Sequence, residues 1–125
     1  MKHALLVALL IFSGGVKADW IEYTTRSNGD VHFYDSSRVA REGDHISVWT
    51  RAKFKRSVMA ASSYQSHLRL DCQQKSETIL QDTFFSDKNW TKPAMATNTH
   101  AKPMTSVKEN SASWQLIGIL CRNTD

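Results

Sequence analysis

The sequence predicts an α+β domain: an antiparallel sheet of about five to six strands, with a C-terminal helix packed on one face and tethered there by a disulfide. Period-two alternation recurs at short spacing between Trp20 and Phe85, which is the pattern of an antiparallel meander. Near the end of the chain the apolar period lengthens to that of a helix. Two cysteines, Cys72 and Cys121, fall one in each region.

The first residues set the compartment. Met1-Lys2-His3 is a basic start, Ala4 to Phe12 is an apolar run, and Ser13-Gly14-Gly15-Val16-Lys17-Ala18 offers small residues to a signal peptidase. The run is shorter than the about 20 apolar residues that a spanning helix needs. Residues 1–18 therefore read as a signal peptide and 19–125 as one exported domain. No cysteine stands at the cut, and no later run reaches membrane length, so the expectation is an unanchored product, periplasmic or secreted, from a Gram-negative bacterium. In an oxidising compartment Cys72 and Cys121 read as a pair. Free thiols are the alternative; a zinc site is disfavoured, because no His or Cys lies at ligand spacing from either.

The charge is modest. Removing Lys2 and Lys17 leaves 14 Lys and Arg against 12 Asp and Glu, too even a balance for a nucleic-acid binder.

Along the mature chain, Trp20 to Thr25 has the aromatic and β-branched content of a strand. Asn28-Gly29 is a hairpin signal, and Asp30 to Asp35 is the partner strand, continued less regularly to Arg41. Glu42-Gly43-Asp44 turns into the clearest strand. There Ile46, Val48, Thr50, Ala52 and Phe54 share one face, and Ser47, Trp49, Arg51, Lys53 and Lys55 share the other. Ser57 to Ser63 reads as a long connection. Tyr64 to Cys72 and Thr78 to Phe85 read as two further strands, parted by the polar Gln73 to Ser76. Residues 86–105 hold both prolines and read as a mobile loop with room for one short strand near Ala94 to Thr97. Ser106-Val107-Lys108-Glu109 has capping-box spacing, with a later start near Ser111 as the alternative. Val107, Trp114, Ile117 and Cys121 follow helical spacing, with Leu116 and Leu120 flanking the stripe.

In this order the pieces resemble the surface-adhesin protein E family of Gram-negative bacteria. The resemblance rests on Trp20, Tyr34-Asp35 with Val39, Gly43-Asp44-x-Ile46-x-Val48-Trp49, Tyr64-x-Ser66, Leu70-Asp71-Cys72, and a terminal helix closing on Cys121. It implies an antiparallel sheet with a terminal helix held by the disulfide. Characterised members bind host matrix proteins such as vitronectin and laminin from a lipid-anchored position. The chain departs from the family where Pro103 to Ser106 stands farther from the last cysteine, and where residues 86–102 lack the usual glycines.

Function is read mainly from one strand face. Trp49, Arg51, Lys53 and Lys55, joined by Arg56, place an indole among cations, which suits an anionic polymer or an acidic protein surface. A solvated face that discourages edge pairing is the plain alternative. His32, His45, His67 and His100 are scattered, so no metal or cofactor is expected. No serine lies in a Gly-x-Ser-x-Gly elbow, and Asp35, Asp44, Asp71 and Asp82 form no defined pair, so no catalytic residue is assigned. The expectation is a non-enzymatic binding module for a host matrix or bacterial envelope protein, or for an anionic polymer. A periplasmic component of envelope assembly is the alternative.

Overall fold

A computed structural model describes residues 17–122. Apart from Lys17 and Ala18, the expected signal peptide lies outside the described residues. Seven strands form one antiparallel sheet: β1 (Trp20–Thr25), β2 (Val31–Glu42), β3 (His45–Val58), β4 (Ala61–Asp71), β5 (Ser76–Phe85), β6 (Ala96–Asn98) and β7 (Thr105–Ser106). The first five follow one another as a meander, and the short β6 and β7 share the outer edge of β5. One helix, α1 (Ala112–Leu120), follows.

The period-two reading of β3 is realised in its burial. Ile46, Val48, Thr50 and Ala52 are buried, while Ser47, Trp49, Arg51 and Lys53 are half-buried on the opposite side. Pairing carries the pattern across the sheet. Ile46 faces Leu70 and Val48 faces Leu68 on β4, and on these α1 lays Leu116 and Ile117. Val107 completes this core, with Tyr23, Tyr34, Ile79 and Trp114 at its margin. Each buried aliphatic side chain contributes about 1.5–3 kcal/mol. Farther along the same face, Thr50 and Ser66 share a buried hydrogen bond of 2.7 Å, which satisfies polar atoms the helix does not reach.

The helix begins at the later of the two expected places. Ser111 is its N-cap, its hydroxyl accepting from the Trp114 N–H at 3.2 Å. Ser106 belongs to β7 instead, because the Val107 N–H is taken by the Lys75 carbonyl at 2.9 Å, which holds this stretch extended. At the other end the Cys121 N–H closes on the Ile117 carbonyl, and Arg41 donates to the Leu120 carbonyl at 3.2 Å. Cys72 and Cys121 form the disulfide, with Cα atoms 5.6 Å apart.

Two connections differ from expectation. The stretch from Ser57 to Ser63 is no long loop: Val58 pairs with Ala61, so β3 and β4 join through Met59-Ala60 alone. Both residues have positive φ, 50° and 70°, the twist that a two-residue hairpin demands and that Asn-Gly supplies most cheaply. Residues 86–105 are pinned more than a mobile loop would be. The Trp90 indole donates to the Tyr64 carbonyl at 3.0 Å, the Lys102 N–H donates to the Ile79 carbonyl, and Lys102 pairs with the buried Asp82 at 3.0 Å. At the first hairpin Gly29 has φ 94°, and a Cβ there would lie 2.4 Å from the Lys55 side chain, so only glycine fits.

Two predictions follow from these constraints. The disulfide spans 49 residues, so the Cys72→Ala/Cys121→Ala variant should lose about 4 kcal/mol in urea unfolding. A loss below about 1 kcal/mol would show that the helix docks without its clasp. Replacing Met59-Ala60 by Asn-Gly should relieve the left-handed strain and raise the melting temperature by several degrees, about 4–8 °C for each 1 kcal/mol gained.

Candidate functional site

Among the described residues no helix covers the face of the sheet away from α1. β3 presents Trp49, Arg51 and Lys53 there. Antiparallel register sets Phe33 of β2 beside Arg51 on one side and Gln65 of β4 on the other, with His67 beside Trp49. Trp20 reaches this face because it pairs with Asp35 at the start of β1. Trp90 folds onto it from the connection after β5.

These side chains interleave as cations and rings. The Arg51 guanidinium lies between two indoles, 4.3 Å from the Trp20 ring and 4.5 Å from the Trp90 ring, and its Nε donates to Gln65 at 2.8 Å. Arg38 stands over Trp49 at 5.0 Å and reaches Trp20 at 5.8 Å. Lys53 sits 5.6 Å from both the Phe33 and the Trp90 rings. Trp49 in turn stacks on His67, centroids 4.5 Å apart and planes 3° from parallel. Each cation–ring contact is worth about 0.5–2 kcal/mol depending on desolvation. Together they make a rigid surface without a conventional core.

Asp35 anchors one edge of this surface. Its carboxylate is fully buried and accepts from the Asp19 N–H, the Ser37 N–H, the Ser37 hydroxyl and the Arg38 Nε, at 2.6 to 2.9 Å. Burial alone would raise its pKa. The hydrogen bonds from Ser37, Asp19 and Arg38 outweigh burial and hold it well below the usual carboxylate range. The anchor depends on a break in the ladder: between the Tyr34–Thr50 and Val39–Val48 pairs, Asp35 to Arg38 stand opposite Trp49 alone, so the strand swells and Arg38 folds over the indole.

The face holds more positive charge than it neutralises. Burial first, and the charge of Arg38 second, lower the pKa of Arg51, with Asp35 opposing only in part. The same two causes lower that of His67. Such a site favours an incoming anion. Among the described residues no three His, Cys, Asp or Glu side chains converge as metal ligands do.

Of the residues singled out from sequence, Trp49, Arg51 and Lys53 come together here. Trp49 lies on the side opposite the terminal helix. Lys55 is displaced toward the first hairpin, where its side chain crosses Gly29, and Arg56 flanks a shallow recess near the same hairpin. The cause is a second ladder break, between Lys53 and Val58. Sequence reasoning missed Arg38, Phe33 and His67 as members, because alternation on one strand does not reveal its neighbours. Trp90 had one visible signal, being the only large aromatic side chain between Ser86 and Thr105.

The Asp35 arrangement predicts a pH effect. A carboxylate with a depressed folded pKa contributes its full stability above the unfolded value of about 3.9 and loses it progressively as pH falls below that toward the folded value. Acid unfolding should therefore steepen below about pH 4, and Asp35→Asn should flatten that limb. Asp35→Ala should cost about 3 kcal/mol at neutral pH, since buried donors lose their acceptor.

The surface-adhesin protein E family model matches residues 20–122. Crystal form II of Haemophilus influenzae protein E superimposes with a TM-score of 0.67 at 14% identity, covering 88% of this chain and 92% of that one. Its selenomethionine form gives 0.66 at 15% identity over 87% and 90%. Protein E from non-typeable Haemophilus influenzae gives 0.63 at 14% over 87% and 79%. At such identity the likeness speaks for the fold alone. No curated protein sequence matches the chain. With its family model running from the first strand past the final helix, this chain belongs to the surface-adhesin protein E family.

Proposed function

We propose that this chain is an exported, non-enzymatic binding module, and that it engages a negatively charged partner through the sheet face opposite α1. The observation that carries the reading is Arg51 held between the Trp20 and Trp90 indoles, with Arg38 and Lys53 stacked beside it. The rings give an anionic partner a flat apolar surface, and the cations give it charge without a search for geometry. Sandwiched guanidinium groups lose little further entropy on pairing with a carboxylate or sulfate. Family membership supports a role in adhesion. The sequence supports export, through residues 1–18. The partner is an acidic protein surface or an anionic polymer, in the host matrix or in the bacterial envelope.

Replacing Arg51 and Lys53 together by Gln removes two charges and keeps much of the packing. At low ionic strength the double variant should bind an acidic matrix glycoprotein or a sulfated polysaccharide at least about tenfold more weakly, and added salt should narrow the gap. Biosensor titrations at two salt concentrations decide the matter. Equal affinities at low salt would remove this face from the account.

A further inference from the structure

The positive charge does not stop at the Arg51 row. Where β3 runs on toward the first hairpin, two recesses open beside Gly29, of about 270 and 450 Å³. Lys53, Lys55 and Lys88 line the smaller one, and Lys55 and Arg56 line the larger, so Gly29 and Lys55 belong to both. Lys53 joins them to the Arg51 face, since its ammonium group also stands 5.6 Å from the Phe33 and Trp90 rings. From Trp49 to Lys55 the row extends roughly 20 Å along β3, at about 3.4 Å per residue.

Among the described residues none of Arg51, Lys53, Lys55, Arg56 and Lys88 has a carboxylate within salt-bridge distance. The acids beside the recesses are engaged locally. Asp30 accepts from the Lys55 N–H at 2.9 Å and from the Asn28 side chain. Asp87 accepts from the Thr91 hydroxyl at 2.7 Å and from the N–H groups of Asn89, Thr91 and Lys92. A continuous row of cations without internal partners attracts anions from outside.

We infer that the negatively charged partner of this face is a linear, densely sulfated polysaccharide, lying along β3 from the Arg51 sandwich into the recesses at Gly29. This assignment rests on the Arg51 face being a binding surface and adds the recesses to it. Shape separates a chain from a folded partner. The row leaves the open face and enters concave ground at the hairpin, a path that a thin, jointed chain with charge on every unit follows. A rigid acidic protein surface would meet the face and bridge over the recesses. Charge density selects the kind of chain. Three lysines around one small recess call for several negative charges close together, which sulfated sugars carry and a polymer with a single carboxylate per disaccharide does not. Ammonium and guanidinium groups both donate to sulfate oxygens as they do to other oxyanions.

Calorimetric titration of the mature chain with size-defined heparin fragments tests the inference. A dodecasaccharide, long enough to cover the row, should bind about tenfold or more tightly than a tetrasaccharide, because its second contact is made within one molecule. A hyaluronate dodecasaccharide should bind about tenfold or more weakly than the heparin one, and added salt should narrow that difference. Lys55→Gln/Arg56→Gln/Lys88→Gln, at exposed positions, should abolish the advantage of length while leaving the melting temperature unchanged. Equal affinities for the short and long heparin fragments on the unaltered chain would overturn the inference without recourse to any variant. So would equal affinities for heparin and hyaluronate, or undiminished dodecasaccharide binding by the triple variant. An acidic protein whose binding falls with Arg51→Gln/Lys53→Gln but not with the triple variant, where heparin gains nothing from length, would keep the Arg51 face as a site and give it to a folded partner. If Arg51→Gln/Lys53→Gln changes the binding of no anion, the face itself fails and the polysaccharide with it.

Discussion

A bond between Cys72 at the end of β4 and Cys121 at the end of α1 decides which face of the sheet is covered. A helix of nine residues is too short to be stable in water by itself. Held at its last turn, it need only lay Leu116 and Ile117 onto Val48, Leu68 and Leu70 to complete a core. The loop closure the disulfide removes from the unfolded chain, about 4 kcal/mol, matches the burial of about two such side chains. Covalent and apolar contributions are thus of the same size in this small domain, and they act at the same place.

Among the described residues one short helix packs on one side of a seven-stranded sheet, and the other face is held by contacts within its own surface. Its solution is lateral. Trp20, Trp49 and Trp90 are separated by Arg51 and Arg38, so each ring packs against a cation that keeps one edge wet. The surface is ordered in advance and still polar enough to stay in water. Those two properties also suit a recognition surface, because little entropy remains to be lost when a charged partner arrives. The contacts that stabilise this face are the same ones on which the proposed binding rests.

The strand elements were legible in the sequence to the extent that they alternate. Ile46 to Phe54 shows its two faces residue by residue, and so the core side of β3 and the Trp49, Arg51 and Lys53 side could be separated by inspection. The disulfide was legible from the cysteine pair and the expectation of export. The Met59-Ala60 turn was not, because neither residue favours the left-handed region and only the pairing of Val58 with Ala61 imposes it. Of the two helix starts that the sequence allows, Ser106 fails because capping-box spacing is local, whereas the competing hydrogen bond from Val107 to Lys75 joins residues far apart in sequence. Arg38 was invisible as a site member for a related reason: it reaches Trp49 by departing from regular structure, as Trp90 does in reaching Arg51, although Trp90 stood out as the one large aromatic side chain of its segment.

Those departures have a common logic. A perfect ladder would make every strand of the meander a uniform alternation, one face for the core and one for water. Between Tyr34 and Val39, extra residues in β2 turn Arg38 onto Trp49 and let Asp35 collect donors from its own strand and from Asp19, just ahead of β1. Between Lys53 and Val58, extra residues in β3 carry Lys55 away from the Arg51 row and leave Phe54 between an apolar cleft and a lysine recess. Each break costs ladder hydrogen bonds and gains a local concentration of charge beside aromatic surface. The chemistry of this domain is therefore concentrated where its sheet is least regular, while the regular stretches, clasped to the helix, supply the rigidity against which those irregularities are held.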